Sequence, residues 1–254
     1  MDPGLRTPLI DFFRRGEVAR DVRLLAAQGA MAPRAHEQLA LLVLLSDDPD
    51  AEIALTANVT LDQLPVEALR AFLARSDVPD ELRGFFGRRG VQPSEVAASD
   101  ASEPLLDILA EPADEGGGKS ADPKVLSSLP ITDKMKLAMK GTREQRSQLI
   151  RDPNRMVAAA VLSSPKLTDA EVEAFTKMGN VSEEVLRTIG TNRNWLKNYG
   201  VMLGLVRNPK TPLGISMQLI HRISERDLKM LAVDRNVPEA LRLAVRKIIV
   251  KALK

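Results

Sequence analysis

The chain has 254 residues, of which 44% are hydrophobic and 3% aromatic, with a net charge of +2 and no cysteine. Disulfides, zinc–thiolate centres, iron–sulfur clusters and thiol nucleophiles are therefore excluded, and only His36 and His221 offer an imidazole. Leu, Ala, Arg, Glu and Lys dominate over the β-branched and aromatic residues that strands favour, so the expected fold class is all-α.

From the start of the chain, Met1 to Arg6 lead into no apolar signal region. The longest apolar run, Leu39 to Leu45, is far short of the roughly 20 residues that span a bilayer. The expected location is cytoplasmic, in a bacterial-type protein. The runs 18–29, 37–45 and 66–74 have helical spacing and length. Asp47, Asp48 and Asp50 surround Pro49, a pattern of a turn or helix start, and no Gly-spaced calcium loop encloses them. Val78-Pro79-Asp80-Glu81-Leu82 is echoed by Val237-Pro238-Glu239-Ala240-Leu241. The echo fits a diverged repeat, and it also fits the common placing of Pro at the start of a helix.

Charge divides the chain. Residues 1–110 carry 11 basic and 18 acidic residues, a net of −7, and read as an acidic helical module. Residues 111–123 carry four acids and one lysine, a net of −3, whereas 124–254 carry 24 basic and 12 acidic residues, a net of +12. All 13 lysines lie beyond residue 118. The break falls on Glu111 to Pro123, EPADEGGGKSADP, which has almost nothing to bury and reads as a flexible linker. Within it, Ala113 to Ser120 formally fits the pattern (Ala/Gly)-x4-Gly-Lys-Ser. A phosphate loop needs a strand before it and a helix after it, so that backbone amides cradle the anion. Here carboxylates precede and Pro123 follows, so no nucleotide cofactor is expected.

Beyond the linker the chain repeats itself. Thr142 to Asn154 (TREQRSQLIRDPN), Ser182 to Asn194 (SEEVLRTIGTNRN) and Ser224 to Asn236 (SERDLKMLAVDRN) align without gaps. Each opens on a hydroxyl that can accept from the free amides of a first helical turn, with Gln145 and Asp227 placed as capping-box partners. Each closes on Asp or Asn, one residue, then Asn, which suits a turn between helices. Val161 to Thr168 (VLSSPKLT) and Leu205 to Pro212 (LVRNPKTP) form a second recurring element, in which Pro165 and Pro209 break a helix and Thr168 or Thr211 can cap the next. A unit of about 42 residues with paired helices lies in the HEAT/armadillo range.

The fragments RNPKTPLGI and RNVPEALRLAV resemble the leucine-rich-repeat variant family, a relative of HEAT repeats whose units carry an Asn-Pro-x-Thr-Pro turn before a helix. The resemblance covers residues 142–253 and implies an α-α superhelix, or α-solenoid, for the array 124–254. The family's best-known member carries an iron–sulfur cluster, a feature that a chain without cysteine cannot share.

Asn192-Arg-Asn-Trp195-Leu-Lys-Asn-Tyr199 places the only Trp and only Tyr four apart, which on one helix is a single face. Trp195 reads either as an anchor of inter-repeat packing or as part of a binding hot spot, where Trp, Tyr and Arg are enriched. Residues 238–253 form a terminal helix with Leu241, Val245, Ile248, Ile249 and Ala252 on one side and Arg242, Arg246, Lys247 and Lys251 on the other. No Gly-x-Ser-x-Gly elbow, catalytic residue, cofactor site or metal-ligand set is found. The function expected is that of a non-enzymatic scaffold that binds a protein with an acidic surface through Arg193, Trp195, Lys197, Tyr199, Arg207 and Lys210. The alternative is nucleic-acid binding by the basic array.

Overall fold

The computed structural model describes residues 7–31, 34–100, 103–106 and 123–252. Among the described residues the secondary structure is helical throughout, with no strand, as the composition predicts. Two compact units are formed, Met1–Arg146 with Ala159–Lys166, and Ser147–Ala158 with Leu167–Lys254. The linker expected at 111–123 and the phosphate-loop-like stretch 113–120 lie outside the described residues, apart from Pro123.

The first unit contains α1 (Pro8–Arg14), α2 (Arg20–Ala27), α3 (Ala35–Leu45), α4 (Ala51–Asp62), α5 (Val66–Leu73), α6 (Asp80–Arg88), α7 (Pro123–Ser128) and α8 (Ile131–Lys140). The run that is apolar on every side becomes α3, buried almost all round and packed against α1, α2, α4 and α6. A helix without a polar face belongs in a core. Leu39, Leu42 and Val43 meet Leu69, Phe72 and Leu73 of α5 and Leu82 and Phe86 of α6. Asp50 caps α4 by accepting from the Glu52 amide, and its own amide donates to Asp48 Oδ1 at 2.9 Å, so the carboxylates around Pro49 build a turn.

Buried Gln38 ties down the segment 103–106. Its Oε1 accepts from the Leu105 and Leu106 amides at 2.8 and 3.1 Å, and its Nε2 donates to the carbonyls of Leu106 at 2.7 Å and Gly29 at 3.1 Å. The Ala35 amide adds a bond to the Glu103 carbonyl at 3.0 Å.

Next come α9 (Arg143–Leu149) and α10 (Arg155–Ser163), each shared between the units, and then α11 (Asp169–Lys177), α12 (Glu183–Thr191), α13 (Tyr199–Arg207), α14 (Leu213–Leu219), α15 (Glu225–Leu231) and α16 (Glu239–Ala252). The three aligned segments share their local geometry. Thr142, Ser182 and Ser224 each accept through the hydroxyl from the amide three residues on, at 3.3, 3.4 and 3.3 Å, at the starts of α9, α12 and α15. Asn154, Asn194 and Asn236 each donate their amide to the side chain two residues back, Asp152, Asn192 and Asp234, at 2.8, 3.0 and 2.9 Å.

The second recurring element is matched as well. Ser164 Oγ donates to the Met139 carbonyl at 2.7 Å, at the end of α8, while Asn208 Nδ2 donates to the Thr176 and Met178 carbonyls at 2.8 and 3.0 Å, at the end of α11. In both cases the residue before the proline satisfies carbonyls that a helix end leaves open. Thr168 caps α11 in a full capping box with Glu171. Thr211 does not cap α14: Pro212 holds that position, and the Thr211 hydroxyl is buried with no partner among the described residues.

Candidate interaction surface

The region around α13 gathers several polar contacts between elements of the second unit. The helical run from Trp195 to Tyr199 is interrupted. Trp195–Lys197 form a single 3-10 turn, and Asn198 then caps α13 by accepting from the Gly200 amide at 2.8 Å. Trp195 and Tyr199 therefore stand on separate elements and not on one helical face as their spacing suggests. An asparagine that bonds its own backbone competes with helix continuation, which is why the break falls at Asn198.

Tyr199, the first residue of α13, reaches the start of α15. Its hydroxyl donates to Asp227 Oδ2 at 2.5 Å and accepts from the Ser224 amide at 3.1 Å, while Ser224 Oγ donates to the same Oδ2 at 2.8 Å. In an ordinary capping box the third residue of the helix would take the Ser224 amide directly; here the phenol stands between them. Arg207, at the other end of α13, donates to Asp227 Oδ1 at 3.3 Å. The phenol, the serine hydroxyl and the guanidinium together hold the Asp227 carboxyl below the usual range.

Beside this network α11 and α13 lie close together, an approach made possible by glycine. A Cβ on Gly204 would fall 2.0 Å from Thr176 Oγ1, and one on Gly200 would fall 2.3 Å from the Glu173 carboxylate. A cleft of about 550 Å³ opens along the pair, lined by Glu173, Lys177, Leu203, Arg207, Asn208 and Asp234 among others. Lys177 pairs with Glu173 at 2.6 Å, and Asp234 Oδ1 is taken by the Asn236 amide, so neither carboxylate stands alone.

The chain matches no known protein family, no curated protein and no solved structure.

Of the six residues singled out in the sequence, Tyr199 and Arg207 meet at Asp227. Trp195 is half-buried, and Lys197 is exposed with its ammonium 3.2 Å from Asn194 Oδ1. Arg193 and Lys210 are exposed, and no described residue supplies a partner for either side chain. Asp227 and the glycine pair were not assigned to the surface, although Asp227 was legible as a cap and Gly200 and Gly204 stand at the spacing of close helix packing.

The histidines lie outside this region. His36 packs edge-on against Phe72 at 4.7 Å, and burial lowers its pKa; His221 is exposed. Among the described residues no group of three or more His, Asp or Glu comes together to hold a metal ion, and no helix is long and apolar enough to cross a membrane.

Proposed function

We propose that the second unit is part of a HEAT-like helical repeat array, related to the leucine-rich-repeat variant family, in a non-enzymatic scaffold. The array binds a partner protein with an acidic surface. The recurrence of cap, helix, Asx turn and helix at Thr142, Ser182 and Ser224 supports the array, since stacked helix pairs build extended binding faces. The observation that carries the binding reading is that Arg193, Lys197 and Lys210 are all exposed, the first two flanking half-buried Trp195 in the chain and the third just past the far end of α13, with no carboxylate paired to any of the three among the described residues. Unmatched exposed cations on the same stretch of chain as a half-buried tryptophan suit an acidic protein surface. In this reading Tyr199 and Arg207 hold the face in shape through Asp227.

Trp195 is the only tryptophan, so its fluorescence reports on the surface directly. Titration with a Glu-rich amphipathic peptide should shift its emission, and the shift should weaken with salt as exposed charges are screened. Lys197→Glu/Lys210→Glu should abolish it without moving the melting temperature. A response to a DNA oligonucleotide in place of the peptide transfers the surface to nucleic-acid binding. No response to either removes the surface from the function.

A further inference from the structure

One exposed helix face in each unit has the chemistry that the other lacks. In the second unit α16 buries Leu241 and Val245 completely, yet leaves Leu243 and Val250 49% and 57% exposed. These two lie two turns apart, about 10 Å at 1.5 Å per residue. Along this side lies a shallow, open groove of about 410 Å³ on the face of α16 itself, lined by Leu243, Arg246, Lys247, Val250 and Lys251, with no carboxylate among them. Arg246 is anchored by two bonds to the Ala232 carbonyl, at 3.2 and 3.0 Å, which fixes its position and leaves its charge unneutralised among the described residues.

In the first unit α4 turns Ile53, Ala57, Thr60 and Leu61 inward. Its outer stripe is Glu52, Leu55, Val59 and Asp62, with Leu55 67% and Val59 47% exposed. The helix contains no cation. Glu52 pairs with Arg20 and Asp62 with Arg89 at 3.2 Å, and both carboxylates remain largely open to further donors.

We infer that α4 of one molecule docks into the α16 groove of a second copy of this chain, head to tail. Leu55 and Val59 lie one turn apart, about 6 Å, so the pair fits between Leu243 and Val250 as a ridge fits a groove. Glu52 and Asp62, three residues beyond Leu55 and Val59 and about 15 Å apart, bracket the contact, so that one of them lies toward Lys251 while Arg246 and Lys247 flank the apolar pair. The wider charge division, −7 over residues 1–110 and +12 over 124–254, draws unlike ends of two molecules together. Each copy carries one ridge and one groove, which makes the contact heterologous, and a stripe of this size gives a weak, reversible, salt-sensitive association.

Sedimentation velocity on the full chain over a range of concentrations tests this. The wild type should self-associate, less so as salt rises. Leu55→Ser/Val59→Ser and Leu243→Ser/Val250→Ser should each weaken self-association at least tenfold with unchanged thermal melts, because all four positions are exposed. Lys247→Glu/Lys251→Glu should do the same through charge alone. Mixing the first two variants should restore a one-to-one dimer, because each retains the face that the other has lost. A wild type that stays monomeric at every concentration overturns the inference, including one whose groove instead takes a foreign acidic helix. Variants that stay monomeric when mixed overturn it too, since that pattern belongs to a contact of like faces.

Discussion

The two units use glycine for opposite reasons. In the first, Gly16, Gly29 and Gly90 follow the ends of α1, α2 and α6 with φ of 69°, 80° and 82°, and a Cβ at Gly16 or Gly90 would meet nothing. Their value is the left-handed backbone, which lets Glu17 and Val91 donate back to Phe12 and Phe86 at 3.2 and 3.0 Å and so close the helix. Among the described residues of the second unit no residue has positive φ. Gly204 is needed there for the side chain it lacks, and helix ends are closed by side chains such as Asn208. A helix stopped by its own backbone can stop anywhere. One stopped by a side chain bonded to the neighbouring helix joins ending and packing in a single contact.

The largest expected effect concerns buried polar groups, where the units also differ. Asn208 is satisfied on both sides of its amide, whereas Glu37 of α3 is buried with Oε2 unpartnered among the described residues, and burial pushes its carboxyl from the ordinary 4.5 up to about 7. A raised carboxyl means that the folded state holds the proton more tightly. Its contribution is fully present below about pH 4.5 and is lost as pH rises to about 7. The loss is on the order of 3 kcal/mol at 1.36 kcal/mol per pKa unit. Denaturant titrations from pH 4.5 to 8 should show this decline in the wild type and a much flatter profile in Glu37→Gln.

Gly204→Ala should come next, costing roughly 2–3 kcal/mol by overpacking against Thr176, with part of the loss recovered by adding Thr176→Ala. Asn208→Ala should cost roughly 2 kcal/mol, because the Thr176 and Met178 carbonyls lose their donor. Gly90→Ala should cost about 1–2 kcal/mol, the strain of a left-handed backbone, with no rescue from any neighbour. Chemical denaturation of all three separates the two uses of glycine: a second-site rescue at Gly90, or its failure at Gly204, breaks the contrast. Ser224→Ala should cost about 1 kcal/mol, the usual worth of a cap, and Tyr199→Phe a similar amount if the phenol acts as a second capping group. Equal melting temperatures for Tyr199→Phe and the wild type would reduce the phenol to a bystander.

Whatever depends on a few neighbouring residues was legible in the sequence. The run 37–45, apolar from Leu39 to Leu45, has the spacing and length of the helix it forms, and Thr168, Ser182 and Ser224 announced the helices they cap. The Asp-x-Asn pattern stood for the turn it makes. Helix α4 is absent from the sequence reading because Leu55 and Val59 blur the period that its buried residues would otherwise show. The contact of Tyr199 with Asp227 spans 28 residues and has no local signature. Thr211 follows the helix-breaking Pro209 just as Thr168 follows Pro165, yet Pro212 takes the cap position itself. The approach of α11 to α13 needed Gly204 and Thr176 to be seen together.

The Gln38 amide ties the segment 105–106 to the core of the first unit. By gripping the backbone of Leu105 and Leu106 on both donor and acceptor sides, it holds these two partly buried leucines against that core. A fragment ended at residue 100 would leave that amide buried, holding only the Gly29 carbonyl, and would uncover the apolar surface on which Leu105 and Leu106 rest. The same grip gives the Leu105 and Leu106 amides a slow clock in hydrogen exchange, ticking with the opening of α3.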